Sequence, residues 1–428
     1  MGAGGAGSVR GRARVPRRTA SIAVAAGLAV CVLGGLGLAG ARPGDGRSGA
    51  PGAAREAVAP PDRNAIGAVL ANRARAVRDR DRIAFMATLA SAPAPYRQAQ
   101  AVMFDNLLKL PLRDWREDFT SLESTGGGAA VVRIRLTYTL RGHDAEPVAR
   151  TRYLVFAPRP GGWAVVGDGT ARGHADDAEI WDGGPLTVVR GRSVLVIGDA
   201  PGLREIARRL DAAVPAVTAV AGRLAPSGWA RRVVALVPAD PARAASLAGG
   251  RPGLHEIAAL ATVAPTTGGR GADRIVIAPA AFGRLNALGR DVVLTHELTH
   301  VATGGARDGR TPLWLIEGFA DYAGYRGRDV SVRSAAAELR REVAAGRLPD
   351  ALPGRAAFDG GSPRLSQAYQ ESWLACRMIA ERYGEAALVR LYRAAGRSTE
   401  SAALREALGV DLPRFTAAWR DYLRRELR

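Results

Sequence analysis

Asp291-Val292-Val293-Leu294-Thr295-His296-Glu297-Leu298-Thr299-His300 and, after a glycine-rich gap, Thr311-Pro312-Leu313-Trp314-Leu315-Ile316-Glu317-Gly318-Phe319-Ala320-Asp321 constrain this chain more than any other stretch. On an α-helix, residues four apart share a face about 6 Å apart along the axis, so His296 and His300 aim two imidazoles at one point. That geometry suits a divalent metal. Glu297, one position further round the helix, sits beside such a metal, where it can take a proton from a metal-bound water as a general base. Only five histidines occur in the chain (His143, His174, His255, His296, His300), and two of them fall at this spacing with a Glu between. The pentamer alone would also suit a surface helix carrying two solvated histidines, and the downstream segment separates the two readings.

A catalytic zinc takes three protein ligands and keeps one open position, so two histidines need a third partner. Glu317 is the candidate. Thr311-Pro312 reads as a helix start, a capping hydroxyl followed by proline at the first helical position, and it places Glu317 and Asp321 on one face of a second helix. Glu317 can then ligate the metal while Asp321 accepts the outer N–H of a ligating histidine and fixes its tautomer. The segment Ala302 to Leu313, with Gly304, Gly305 and Gly309, is long enough to turn the chain between the two helices.

His296-Glu297-x-x-His300 with Glu317-Gly318-Phe319-Ala320-x-Tyr322 resembles the gluzincin metallopeptidases, the superfamily of thermolysin and the membrane alanyl aminopeptidases, and most of all its peptidase MA-like branch. The likeness is sharpest over about Asp291 to Tyr325. It implies one Zn2+ held by His296, His300 and Glu317, with Glu297 as the base and Asp321 behind a ligating imidazole. It also implies a peptide or protein substrate. The aminopeptidases of that superfamily carry a Gly-x-Met-Glu-Asn segment ahead of the zinc helix. The methionines here are Met1, Met86, Met103 and Met378, so no such segment precedes His296, and endopeptidase action is the expectation. No histidine follows His300. The late histidine of thermolysin-like members therefore has no counterpart, and the third histidine of a metzincin is missing. Stabilising the oxyanion of peptide hydrolysis then falls to a tyrosine or an arginine. Tyr369, opening the helical run Ser366 to Tyr383, is the candidate; packing of its ring with Trp373 is the competing role, and Tyr322 and Tyr325 are weaker candidates.

The opening is basic (Arg10, Arg12, Arg14, Arg17, Arg18) and leads into an uncharged apolar run from Thr19 to Ala41. Such a layout is a secretory signal peptide or a membrane anchor helix, and the length of the run favours the anchor. Ala39-Gly40-Ala41 would suit a signal peptidase. Either way the folded part lies outside the cytoplasmic membrane. Residues 42–61, dominated by Gly, Pro, Ala and Arg, form a flexible tether. Of the two cysteines one lies in the apolar run, leaving Cys376 alone beyond it, so no internal disulfide is available there. Cys376 reads as a small core residue.

The remainder invites two domains. Residues 62–180 show helical spacing from Ala65 to Leu89 and from Tyr96 to Leu110, then alternating runs at Ala130 to Leu140, Val148 to Ala157 and Trp163 to Gly167. This helix-then-sheet order weakly resembles the cone fold of nuclear transport factor 2, and Asp168 and His143 are expected on its surface turns. Residues 185–428 would be a two-lobed gluzincin domain: a mixed sheet and the zinc helix, then a helical lobe. Expected strands are Leu186 to Val189, Ser193 to Ile197, Val233 to Val237, Ala259 to Ala264 and Arg274 to Ala278, the last offering main-chain contacts to substrate. A helix is expected over Leu203 to Ala221, with later ones at Ser334 to Ala345, Gln367 to Tyr383, Glu385 to Ala394, Ser401 to Leu408 and Leu412 to Arg425. The fold class is therefore α+β behind an N-terminal apolar helix.

A formal charge of +19 raises nucleic acid as a partner. The cations are arginines apart from Lys109, are spread along the chain, and come with no nucleic-acid motif, so nucleic acid is excluded. A basic exterior favours anionic membrane surfaces or wall polymers. The reading is an extracytoplasmic zinc metallopeptidase; the alternative is a non-catalytic envelope binding module that keeps zinc as a structural staple. Nothing in the sequence fixes an oligomeric state.

Overall fold

A computed structural model describes residues 61–126, 128–222, 224, 229–250, 257–304 and 309–428. The apolar run of residues 19–41 and all but Pro61 of the expected tether lie outside these, as does His255. Among the described residues no helix is long and apolar enough to cross a membrane. The fold is mixed α and β with two sheets.

Helix α1 (Arg63–Asp79) starts at Asp62, whose carboxylate accepts the N–H of Asn64 and of Ala65. The helical spacing expected to run unbroken from Ala65 to Leu89 is interrupted at Arg80. That residue turns left-handed (φ 61°) and returns its N–H to the carbonyls of Ala76 and Val77. Asp81 then caps α2 (Arg82–Ala87) by accepting the Ala84 N–H. After α3 (Ala94–Leu107) comes an antiparallel meander of β1 (Leu112–Gly126), β2 (Ala129–Leu140), β3 (Val148–Arg159) and β4 (Gly162–Asp168). Three of these strands lie where the alternating runs were expected, although burial does not alternate strictly along them; β1 was not expected. Its start, Arg113-Asp114-Trp115-Arg116-Glu117-Asp118, is densely charged, and the buried Glu117 is carried inward by the buried Arg73 of α1 at 3.2 Å. Register shifts along β1 mark bulges that bend the ribbon.

The second sheet comprises β5 (Thr187–Arg190), β6 (Val194–Gly198), β7 (Val233–Val237), β8 (Ala259–Ala264) and β9 (Ala272–Ile277), in the order β5-β6-β7-β9-β8. The three middle strands are parallel and the two edges antiparallel. Strand β9 is thus an inner strand, paired with β8 along its length and with β7 at Ile275 and Val276, so Arg274 to Ala278 is not the edge expected to meet a substrate. The edge on this side belongs to β8, because the sequence returns from β8 through a turn to fill the inner position. Helix α4 (Leu203–Ala221) makes the crossover from β6 to β7.

Successive residues of the parallel strands enter two different cores. Val194, Val196, Val233, Ala235, Val237, Ile275 and Ile277 face the helices that follow, while Leu195, Ile197, Val234, Leu236, Leu260 and Val276 join the core of the front unit. The sheet is buried on both faces, hence its continuous apolar runs. Polar ties cross the same seam. The Asn106 side chain donates to the carbonyls of Trp181 (3.3 Å) and Gly184 (3.0 Å) and accepts the N–H of Leu186 (2.8 Å). Arg274 pairs with Asp144 at 2.8 Å, both buried.

Two short helices went unanticipated, α5 (Pro241–Leu247) and α6 (Pro279–Arg284), each too brief to display a period. Then come α7 (Ala287–Thr303) and α8 (Leu313–Tyr325), followed by α9 (Val332–Ala335), α10 (Ala337–Ala344), α11 (Leu365–Tyr383), α12 (Glu385–Ala395), α13 (Glu400–Leu408) and α14 (Leu412–Leu427). The run expected over Ser334 to Ala345 is divided at Ala336, whose ψ of 41° leaves the helical range. Gly384 and Gly409 interrupt the chain at positive φ as expected, and Cys376 is fully buried.

Candidate metal centre

Helix α7 begins where the Asn286 carboxamide accepts the Gly289 N–H at 2.7 Å and ends at Gly304, left-handed at φ 80°. From Val292 to Thr303 every residue is buried, so polarity on this helix is sheltered by protein on all sides. Thr295 and Thr299 return their hydroxyls to carbonyls one turn back. Helix α8 starts one residue later than Thr311-Pro312 suggested. Pro312 itself occupies the cap position, its carbonyl accepting the N–H of Leu315 and Ile316, and no side chain caps the helix. Glu317 and Asp321 still share a face.

That face meets α7. His296 Nε2 lies 2.9 Å from His300 Nε2 and 3.2 Å from Glu317 Oε2, and His300 Nε2 lies 3.4 Å from the same carboxylate oxygen. His296 Nδ1 is 2.8 Å from Asp321 Oδ1, so in the neutral ring Nδ1–H donates to the carboxylate and the Nε2 lone pair faces Glu317 and His300. Exposure is 0% for His296 and Glu317, 1% for Glu297, and 3% for His300 and Asp321. Glu297 Oε2 accepts the Ala261 N–H of strand β8 at 2.6 Å. The Tyr369 ring stands edge-on to the His296 imidazole at 6.2 Å and to Phe358 at 5.4 Å.

Two close approaches make this possible. A Cβ on Gly318 would lie 2.3 Å from the Ser372 carbonyl oxygen and 2.9 Å from Cys376 Sγ, so only glycine lets α8 press against α11 at the turn carrying Glu317. On the other side a Cβ on Gly324 would crowd Val292 of α7 at 3.1 Å.

Electrostatics match a site for a cation. Three carboxylates, Glu297, Glu317 and Asp321, are buried around two imidazoles. Burial works against a charged His296, yet Asp321, Glu317 and Glu297 outweigh it and hold its pKa up at about 10. Burial would raise Glu317, but His300 and His296 bring it down to about 2. Glu297 is pushed up by burial, only partly offset by the two imidazoles and the Ala261 N–H. Asp321 is pushed up by burial too, against the pull of His296.

The donor set fits zinc. In a tetrahedral site with bonds of ~2.0–2.1 Å the ligand atoms lie ~3.3 Å apart, close to the three separations found here. Among the described residues Glu317 Oε1 and Glu297 Oε1 are buried without a hydrogen-bond partner, as carboxylates beside a cation would be. Among the described residues this is the one group of His, Cys, Asp and Glu able to hold a metal ion. The structure thus brings together His296, His300, Glu317, Glu297 and Asp321, with Tyr369 at the rim. The Ala261 amide is not foreseeable from sequence, since a backbone donor on an edge strand has no residue signature.

No family model and no curated protein matches the chain. Among solved structures it is similar to a substrate-bound mutant of an M1 zinc metallopeptidase from Deinococcus radiodurans, at 16% identity and a TM-score of 0.34. The match covers 74% of this chain and 62% of that one, so the chain spans less than two thirds of its length. A likeness this loose bears on neither the fold nor the activity.

Proposed function

We propose that this chain is an extracytoplasmic zinc metallopeptidase, with residues 185–428 as a gluzincin-type unit behind a cone-like unit of residues 62–180. Its N-terminal segment would anchor it to the membrane or be removed on export. One observation carries the reading: His296 Nε2, His300 Nε2 and Glu317 Oε2 converge within 3.4 Å beside a buried Glu297.

Zinc held by these three residues would supply Lewis acidity to a water and to the scissile carbonyl. Asp321 keeps His296 in the tautomer that offers Nε2. Glu297, its carboxyl raised by burial, is placed beside that site, where it would take a proton from the water and return it to the leaving amine. The Ala261 N–H restrains the Glu297 carboxylate. Tyr369 would donate to the developing oxyanion, and edge strand β8, which reaches the base through Ala261, would lie alongside an extended peptide.

Near-complete burial of the ligands supports a second reading, in which zinc is a structural staple in an envelope binding module. Glu297→Gln separates the two. In a peptidase this variant keeps stoichiometric zinc and loses turnover by ~10²–10⁴, while His300→Ala loses both zinc and turnover. Zinc-loaded wild type with no cleavage of a broad peptide library, read by mass spectrometry, would overturn the peptidase in favour of the staple.

A further inference from the structure

The front unit encloses a cavity of ≈ 260 Å³ between α1, α3 and the bent face of the meander, and no residue of the metal centre lines it. Met103, Leu136 and Leu154 supply apolar wall. Besides Arg73 Nε, which faces Glu117 in an ion pair, three buried donors in the lining have no partner among the described residues: Arg73 Nη1, the Tyr96 hydroxyl and Trp181 Nε1. A buried donor left unpaired costs stability, so three at one cavity need an explanation.

None of the three can readily turn elsewhere. Arg73 is held by Glu117 at 3.2 Å, by the Gln100 carboxamide, and by the Phe85 ring 4.2 Å beneath its guanidinium. Trp181 is fixed edge-on against Trp115 (5.8 Å) and Tyr138 (4.9 Å). Burial raises the Tyr96 pKa, so its hydroxyl keeps the proton it would donate.

Charge narrows the occupant. Four lining carboxylates, Glu117, Asp168, Asp176 and Asp182, face two guanidinium groups, Arg73 and Arg152. Arg152 is spent on Asp176 (2.9 Å) and Asp182 (2.8 Å). Asp168, expected on a surface turn, lines the cavity instead and accepts the Thr170 N–H at 2.9 Å. The excess is negative, which repels an anion. The occupant must offer acceptor oxygens to three donors, donate to a carboxylate, present some apolar surface, and carry no negative charge. The volume lies below the roughly 300–1,000 Å³ typical of drug-sized ligands, which limits it to one ring.

We propose that this cavity binds a single neutral or amino sugar ring, its oxygens accepting from Arg73, Tyr96 and Trp181 and a hydroxyl donating to Asp168. The site is independent of the metal centre, so failure of the peptidase reading leaves it standing.

Calorimetric titration of the full chain with glucose, galactose, mannose, N-acetylglucosamine and glucosamine, each to roughly 10 mM, tests it, with glucuronate and ethanolamine as comparators. At least one of the sugars binds, and glucuronate binds about tenfold more weakly or not at all. Tyr96→Phe weakens the sugar by about three- to tenfold. Ala99→Trp, at an exposed position on the rim, blocks it while leaving the thermal melt in place. Absence of binding by every sugar, equal binding of glucuronate, binding of ethanolamine alone, or sugar binding indifferent to both substitutions overturns the proposal.

Discussion

Glu371 is 2% exposed on α11 and sits 2.8 Å from the half-exposed Arg364. Burial outweighs the guanidinium and pushes its carboxyl up to about 7 from an ordinary 4.5. The folded protein therefore keeps a proton that the unfolded chain gives up. Stability from this group is fully present below about pH 4.5 and is lost as pH rises through about 7. At ~1.4 kcal/mol per pH unit the loss is on the order of 3 kcal/mol. Denaturant titrations of Glu371→Gln should match wild type near pH 4 and exceed it at pH 8; parallel curves at both would refute the assignment. No reading of the sequence flags Glu371, because its ionisation is set by what packs over it. The convergence of His296, Glu297, His300, Glu317 and Asp321 was legible for the opposite reason: a metal-binding pattern restricts residue type and helix geometry restricts spacing. Tyr369 falls between, since a tyrosine at that place suits a donor or a packing ring equally.

Among the elements, the contact of α8 with α11 hinges on Gly318. In Gly318→Ala the added methyl meets the Ser372 carbonyl at 2.3 Å, so the helices must part. A cost of about 1–3 kcal/mol is expected in denaturant melts, together with weaker zinc binding as Glu317 is displaced. A variant with unchanged stability and zinc affinity would show the contact to be slack. Helices and parallel strands announced themselves through period and apolar runs, as in α4 and β7. Strand β1 stayed hidden because a buried ion pair, Arg73 with Glu117, replaces the apolar residue its pattern would need. The rank of β8 and β9 within the sheet was equally invisible: both read as apolar strands, and only pairing decides which is the edge.

At the scale of the whole molecule, the second sheet shares one face with the core of the front unit. Residues 185–428 expressed alone would bare Leu195, Ile197, Val234, Leu236, Leu260 and Val276, each worth up to ~1.5–3 kcal/mol when buried. That fragment should aggregate or melt without cooperativity by circular dichroism, and a soluble fragment with a sharp transition would show the front unit to be dispensable. The length of the chain suggested two domains, the second from about residue 185, but a seam between them cannot be read from length or periodicity. An apolar run is the same whether helices or a neighbouring domain lie over it.

The gripping atoms of α7 and α8 lie at most 25 positions apart along the chain. Closing so short a segment sacrifices little chain entropy, whereas the β-structure above it must wait for segments spread from Val194 to Ile277 to find one another. The helical hairpin is thus the fastest piece of the C-terminal half to assemble, and an ion captured then would be walled in as the later layers arrive. Chelators should strip metal readily from nascent or partly unfolded chains and only slowly from finished ones.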